Sequence, residues 1–120
     1  MEKELRLSKR DEFNKVYRYG KSSANKQFVL YYFPQPHLIY FRLGVSVSKK
    51  IGNAVTRNRI RRMLKEIIRL NKSNLKLQTA YIFIARQSIA DITYQDMEKS
   101  VIHLLRKNSL YTKHTWTKES

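Results

Sequence analysis

Cysteine is absent from this chain of 120 residues, and acidic side chains are scarce. Without cysteine, disulfide bonds, thiolate nucleophiles and cysteine-ligated zinc are all excluded. His37, His103 and His114 stand singly, without a second ligand at metal-binding spacing, so we expect no metal bound tightly by the protein alone. The nine Asp and Glu residues fall mostly near helix starts or chain ends, and no pair is placed for hydrolysis. We therefore expect no catalytic residue in this chain.

Long apolar runs and chain-breaking residues are also scarce. No stretch approaches 18 apolar residues, which argues against a membrane-spanning helix. Residues 1–6 alternate in charge and lack the apolar region of a secretion signal, so we expect a cytoplasmic protein. Only three Gly and two Pro interrupt the sequence. This predicts a single domain over residues 1–120, with an ordered core at about 7–110 and a polar C-terminal tail.

Positive charge dominates the composition of the chain. Lys and Arg number 25 against 9 Asp and Glu, a formal net charge of +16. Such an excess repels itself in a folded protein and favours a polyanionic partner. A membrane surface is the competing polyanion, but the chain lacks a long apolar run for lipid, so nucleic acid is the preferred partner.

The spacing of apolar residues predicts an α/β sandwich. Ser8 can cap a first helix that ends at Gly20, and Thr93, with Asp96 three residues on, can cap the last one. Strands are predicted at 27–33, 40–49 and 80–86, the third apolar on both sides and so central. The second alternates apolar residues with a small, polar face that we expect to be open for contact. The predicted order is α-β-β-α-β-α, with helices covering one face of the sheet.

A basic helix is predicted between the second and third strands, over about 53–71. Its apolar stripe is formed by Ile60, Met63, Leu64, Ile67 and Ile68, and the opposite side carries Asn58, Arg62, Lys65 and Arg69. Seven cations and no carboxylate occur in residues 49–65, whereas solvated helices usually interleave acids. Gly52 and Asn53 precede the first turn, where helix amides favour phosphate, although such a pair can also be a plain helix start.

The run from Lys49 to Arg62, centred on Arg57, Asn58 and Arg59, resembles the signature of the bacterial ribonuclease P protein component. The resemblance extends over roughly residues 8–111. It implies a small mixed sheet with a left-handed βαβ crossover around the basic helix. It also implies that an RNA subunit performs the metal-dependent removal of the 5′ leader from precursor tRNA, with Mg²⁺ held mainly by that RNA and the substrate. The implied partners are the catalytic RNA subunit and precursor tRNA, with no membrane and no protein partner required.

The resemblance assigns two surfaces. Contact with the RNA subunit is implied for Lys49, Lys50, Gly52, Asn53, Arg57, Asn58, Arg59, Arg61, Arg62 and Lys65. A cleft for the single-stranded leader is implied between the first helix and the sheet, lined by Phe13, Tyr17 and Tyr31. Aromatic stacking suits unpaired bases, which supports this assignment. A plain core role is the alternative for Phe13, and Tyr17 stands where a second phenylalanine often occurs in the family.

A ribosomal-type basic RNA-binding protein with no catalytic partner is the alternative function. Composition fits it equally well. The aromatic cleft and the long signature favour the ribonuclease P subunit.

Overall fold

The computed structural model describes residues 5–112. In chain order the elements are α1 (Arg10–Tyr19), β1 (Lys21–Ala24), β2 (Phe28–Pro34), β3 (Phe41–Ser46), α2 (Ala54–Leu70), β4 (Thr79–Ala85) and α3 (Tyr94–Lys107). Three short 3₁₀ turns lie at Lys49–Ile51, Lys72–Asn74 and Gln87–Ile89. The predicted α/β fold and its element order are confirmed, with the short strand β1 as an addition.

The four strands form one mixed sheet in the order β1-β2-β4-β3. β2 runs antiparallel to both β1 and β4, whereas β3 and β4 are parallel neighbours joined through α2. β4 is central, as predicted, and most of its residues are buried. The left hand of the β3-α2-β4 crossover stays a prediction from the family resemblance.

The main core lies between one face of the sheet and the helices α2 and α3. Phe28, Leu30 and Phe83 from the sheet are fully buried there. The predicted stripe of α2 is confirmed, since Ile60, Leu64, Ile67 and Ile68 are buried and Met63 is packed against the same cluster. The Thr93 hydroxyl accepts a hydrogen bond from the Asp96 amide at 3.1 Å, which confirms the start of α3.

The opposite face of the sheet carries α1, so the prediction that helices cover one face is wrong for this helix. Val16 packs there with Leu7, Ala80 and Ile82. The physical reason is that β2 and β4 are apolar on both sides, and the second apolar face also requires a cover.

Both ends of α1 depend on local contacts. The helix begins one residue later than predicted, because Lys9 and not Ser8 is the N-cap, and the Lys9 amide donates to Glu12 Oε1 at 3.3 Å. At the other end the Gly20 amide donates to the Val16 carbonyl at 2.8 Å, which confirms Gly20 as the helix end. A Cβ at Gly20 would lie 2.5 Å from that oxygen and 2.6 Å from the Tyr32 carbonyl oxygen, so the chain needs glycine for space.

Contacts with the core reach slightly beyond the predicted 7–110. Leu5 is buried, and Tyr111 pairs with Leu75 in an isolated β-bridge. The predicted polar tail from residue 113 onward lies outside the described residues.

Candidate nucleic-acid interface

The start of α2 is held by side-chain caps. Asn53 Oδ1 accepts a hydrogen bond from the Thr56 amide at 2.9 Å, and the Ser48 hydroxyl accepts one from the Lys50 amide at 3.3 Å. The amides of a first helical turn lack intrahelical acceptors, and the exposed residues Ala54 and Val55 leave this end open to solvent. Asn53 therefore acts as a cap, and the positive end of the helix dipole faces outward beside Lys49 and Lys50.

Three arginines of the signature are anchored to main-chain carbonyls. Arg57 Nε donates to the Gly52 oxygen at 3.2 Å, and Arg59 Nη2 donates to the Ile92 oxygen at 2.6 Å. Arg61 donates from Nη2 to the Val47 oxygen at 3.4 Å and from Nη1 to Asn58 Oδ1 at 3.0 Å. These bonds fix α2 against its own start, the end of β3 and the loop before α3. They also hold the guanidinium groups in defined positions.

Four further cations of this surface have no side-chain partner among residues 5–112. Lys49, Lys50 and Arg62 are exposed and Lys65 is half-buried, and none makes a side-chain hydrogen bond or ion pair with the residues described. Residues 5–112 contain two ion pairs, Arg42 with Glu12 at 3.1 Å and Arg69 with Glu66 at 2.6 Å. In the second pair, the hydrogen bond from Arg69 lowers the pKa of Glu66. The charge of the signature is therefore not neutralised within the described part of the chain.

Phe13, Tyr17 and Tyr31 come together as the resemblance implies. The ring centroids of Phe13 and Tyr17 on α1 are 6.4 Å apart, and Tyr17 meets Tyr31 of β2 edge to face at 5.0 Å. Tyr17 is 39% exposed, and the other two rings are half-buried. Burial, with a smaller contribution from Tyr31, raises the pKa of the Tyr17 hydroxyl. We call these three side chains the aromatic cluster.

The sheet continues beyond the aromatic cluster as a half-buried row. Val29, Ile84 and Ser46 are paired across β2, β4 and β3, two residues along each strand from Tyr31, Ile82 and Gly44. Residues two apart in a strand share a face, so this row extends the same surface by about 7 Å. The result is a shallow cleft with α1 as its wall and the sheet as its floor.

The polar face of β3 is less open than predicted. Gly44 is buried beneath Phe13 and Leu7, and Arg42 is occupied by its ion pair with Glu12. Ser46 is half-exposed, and Tyr40 and Ser48, at the ends of the predicted face, are exposed. Sequence alternation identified the face correctly but could not show that α1 covers part of it.

A groove of about 350 Å³ joins the aromatic cluster to α2. Phe13 lies on one side of it, and Arg61 and Lys65 lie on the other. The two surfaces that the resemblance separates are thus parts of one continuous surface. Arg6, which also lines the groove, had no signal in the sequence beyond its charge.

A metal site is not evident in the described residues. Within 5–112, no three His, Asp or Glu side chains come together in a group that could hold a metal ion. The same part of the chain has no helix with the length and apolar character needed to cross a bilayer.

Comparison with known proteins decides the family. The sequence model of ribonuclease P matches residues 1–109. The chain belongs to the ribonuclease P protein family. It is 47% identical over 111 residues to the ribonuclease P protein component of Bacillus pumilus, covering 92% of this chain and 93% of that one. Over 113 residues it is 46% identical to the component from Staphylococcus carnosus, covering 94% and 97%.

Solved structures of ribonuclease P proteins share the fold. The protein from Staphylococcus aureus superposes with a TM-score of 0.85 at 40% identity, covering 90% of this chain and 98% of that one. The protein from Thermotoga maritima gives 0.78 at 28% identity, covering 85% and 96%. The resemblance found in the sequence is confirmed. The chain is accordingly a subunit of ribonuclease P, the endoribonuclease of tRNA 5′ maturation, and the alternative of a ribosomal-type protein is set aside.

Proposed function

We propose that this subunit binds the catalytic RNA of ribonuclease P through α2 and its start, and holds the 5′ leader of precursor tRNA on the aromatic cluster. The contact residues proposed for the RNA subunit are Lys49, Lys50, Gly52, Asn53, Arg57, Asn58, Arg59, Arg61, Arg62 and Lys65. Those proposed for the leader are Phe13, Tyr17 and Tyr31. The observation that carries the proposal is the groove lined both by the half-buried Phe13 ring and by Lys65, a cation whose side chain has no partner within residues 5–112.

The cations of α2 support phosphate binding. Lys49, Lys50, Arg62 and Lys65 have no ion pair among the described residues, and the outward helix start adds a positive dipole end. Neutralising phosphates with such side chains releases counterions, so affinity should fall steeply as salt rises. The guanidinium groups tied to carbonyls are pre-positioned, which reduces the entropy lost when they meet a phosphate.

The aromatic cluster supports binding of an unpaired strand. Sequence-tolerant recognition of single-stranded RNA uses ring stacking, worth about 1–3 kcal/mol per base, together with a basic track for the backbone. Tyr17 offers a ring that is 39% exposed, and the half-buried row of Val29, Ile84 and Ser46 extends this surface along the strands. Mature tRNA lacks a leader and has nothing to place there.

In this proposal, the RNA subunit performs the hydrolysis itself. No carboxylate cluster of the described residues fits Mg²⁺, so we expect the ion to be held mainly by the RNA subunit and the substrate. We expect the complex to act in the cytoplasm.

Reconstitution tests the proposal. Protein that has been denatured, freed of nucleic acid and refolded should not cleave precursor tRNA in the presence of Mg²⁺. Adding the RNA subunit should restore cleavage and give tighter binding of precursor than of mature tRNA. Cleavage by the RNA-free protein, or equal affinities for precursor and mature tRNA, would contradict the proposal.

A further inference from the structure

The segment before α1 is attached to the free edge of β3. The Leu7 amide donates to the Leu43 carbonyl at 2.9 Å, and Arg6 forms a parallel β-bridge with Leu43. Leu5 and Leu7 are both buried, so the main chain of Arg6 is held between two anchored residues. Its side chain remains exposed. An arginine is thereby fixed at the sheet edge, at a position that no sequence motif marks.

This arginine is one of three cations that line the groove beside β3. The groove has a volume of about 350 Å³, and its cationic lining residues are Arg6, Arg61 and Lys65. Among residues 5–112, no carboxylate lines it. The side chains of Arg6 and Lys65 make no hydrogen bond or ion pair within residues 5–112, whereas the Arg61 side chain is oriented by Val47 and Asn58.

Three cations around one small groove repel one another, because the low-dielectric wall of the sheet screens them less than bulk water does. An anion placed between them would remove that repulsion. A guanidinium binds phosphate oxygens bidentately, and a lysine supplies a compact charge on the other side. The shape and charge of the groove thus fit a phosphodiester group. Phe13 also lines the groove, so a phosphodiester group bound there would lie next to a base stacked on the Phe13 ring.

We propose that this groove is a phosphodiester-binding site in which Arg6 acts with Arg61 and Lys65, at the junction between the aromatic cluster and α2. This inference rests on the proposed function. The phosphate can come from the leader strand or from the RNA subunit. Both supply the same chemical group, and the experiment separates them.

The test compares Arg6→Ala and Arg6→Lys with Lys99→Ala in the full-length protein. Lys99 is an exposed cation on α3 outside the groove, so its variant removes the same charge elsewhere. Each variant is melted, titrated with the RNA subunit over a range of salt, and assembled into holoenzyme for titration with precursor and mature tRNA. Melting should be unchanged in all three, because the bridge at Arg6 uses main-chain atoms.

Arg6→Ala should weaken one of these interactions by about tenfold, as expected for loss of one charge-assisted hydrogen bond. If the RNA subunit supplies the phosphate, its affinity falls and the salt slope decreases by about 1. If the leader supplies it, affinity falls for precursor tRNA alone. Arg6→Lys should recover part of the loss in either case.

The inference is wrong if Arg6→Ala matches Lys99→Ala in every titration. A reference variant outside the groove, Lys50→Glu with Arg62→Glu, then shows how far the failure extends. If that double variant still weakens binding of the RNA subunit, the proposed function stands and only the groove is misassigned. If it also has no effect, the electrostatic part of the proposed function fails.

Discussion

Phe13 of α1 lies against Gly44 of β3 so closely that a Cβ at position 44 would be 2.7 Å from Phe13 Cε1 and 2.8 Å from Cζ. Both atoms belong to the ring of Phe13, and Leu7 Cδ2 would be the next nearest atom at 3.3 Å. The missing side chain of Gly44 therefore sets the depth at which α1 packs on the sheet. It also sets the position of Phe13 in the aromatic cluster.

Substituting Gly44 with alanine should displace Phe13 and weaken leader binding. Overpacking of this kind costs about 1–3 kcal/mol of folding stability. We expect a lower melting temperature and a selective loss of affinity for precursor tRNA in the holoenzyme. Ser46→Ala is the matched control, because it lies two residues along on the same face and introduces no clash. Wild-type melting and wild-type affinity of Gly44→Ala would show that the ring can move at no cost.

Replacing Tyr31 with alanine should cost about 1–3 kcal/mol of binding free energy for precursor tRNA, the value of stacking with one base. Affinity for mature tRNA should hardly change. Tyr32→Ala is the control, since Tyr32 packs on the opposite face, with its hydroxyl 3.2 Å from Asn108 Oδ1. That variant should melt earlier without distinguishing the two RNAs. Equal losses of both RNAs with Tyr31→Ala would place Tyr31 in the core alone.

Local periodicity was sufficient to predict the elements that bury an apolar face. The alternation from Phe41 to Val47 predicted β3, and the spacing of apolar residues from Ile60 to Ile68 predicted α2, because burial on one side requires these periods. β1 was missed since Lys21–Ala24 is short, largely polar and exposed, and it forms a strand only by pairing with β2.

For the candidate site too, the sequence predicted the residues of local motifs but not the contacts between distant segments. The signature identified the cations of α2 and, through the family, the three aromatic residues. It could not show that Arg59 reaches the carbonyl of Ile92, 33 residues away, or that Arg6 is held beside Leu43. Both contacts depend on where separate elements meet in space. Every residue has a main-chain carbonyl, so the sequence does not indicate which carbonyl will accept a hydrogen bond.

The outward cations of α2 should contribute to RNA binding without contributing to folding. Arg62→Glu with Lys65→Glu should weaken binding of the RNA subunit and reduce its salt dependence, because at least two phosphate contacts are lost. The melting curve should be nearly unchanged, since both side chains lack internal partners in residues 5–112. Lys99→Glu with Lys107→Glu on α3 is the charge-matched control. Equal weakening by both double variants would mean that net charge alone, and not this surface, determines binding.

Arg59 should behave differently from Arg62, although both belong to the signature. Its 2.6 Å hydrogen bond to the Ile92 carbonyl ties α2 to the loop before α3, and the Arg59 side chain is half-buried. Arg59→Met keeps most of the aliphatic stem but leaves that carbonyl without its donor, which costs about 1–3 kcal/mol. We expect Arg59→Met to lower the free energy of unfolding in denaturant titrations, Arg59→Lys to restore part of it, and Arg62→Met to leave it unchanged. RNA-subunit affinity measured on the same proteins separates the two roles, because Arg62→Met should lose affinity at full stability. An Arg59→Met protein as stable as the wild type would show that the tether to Ile92 does not support the fold.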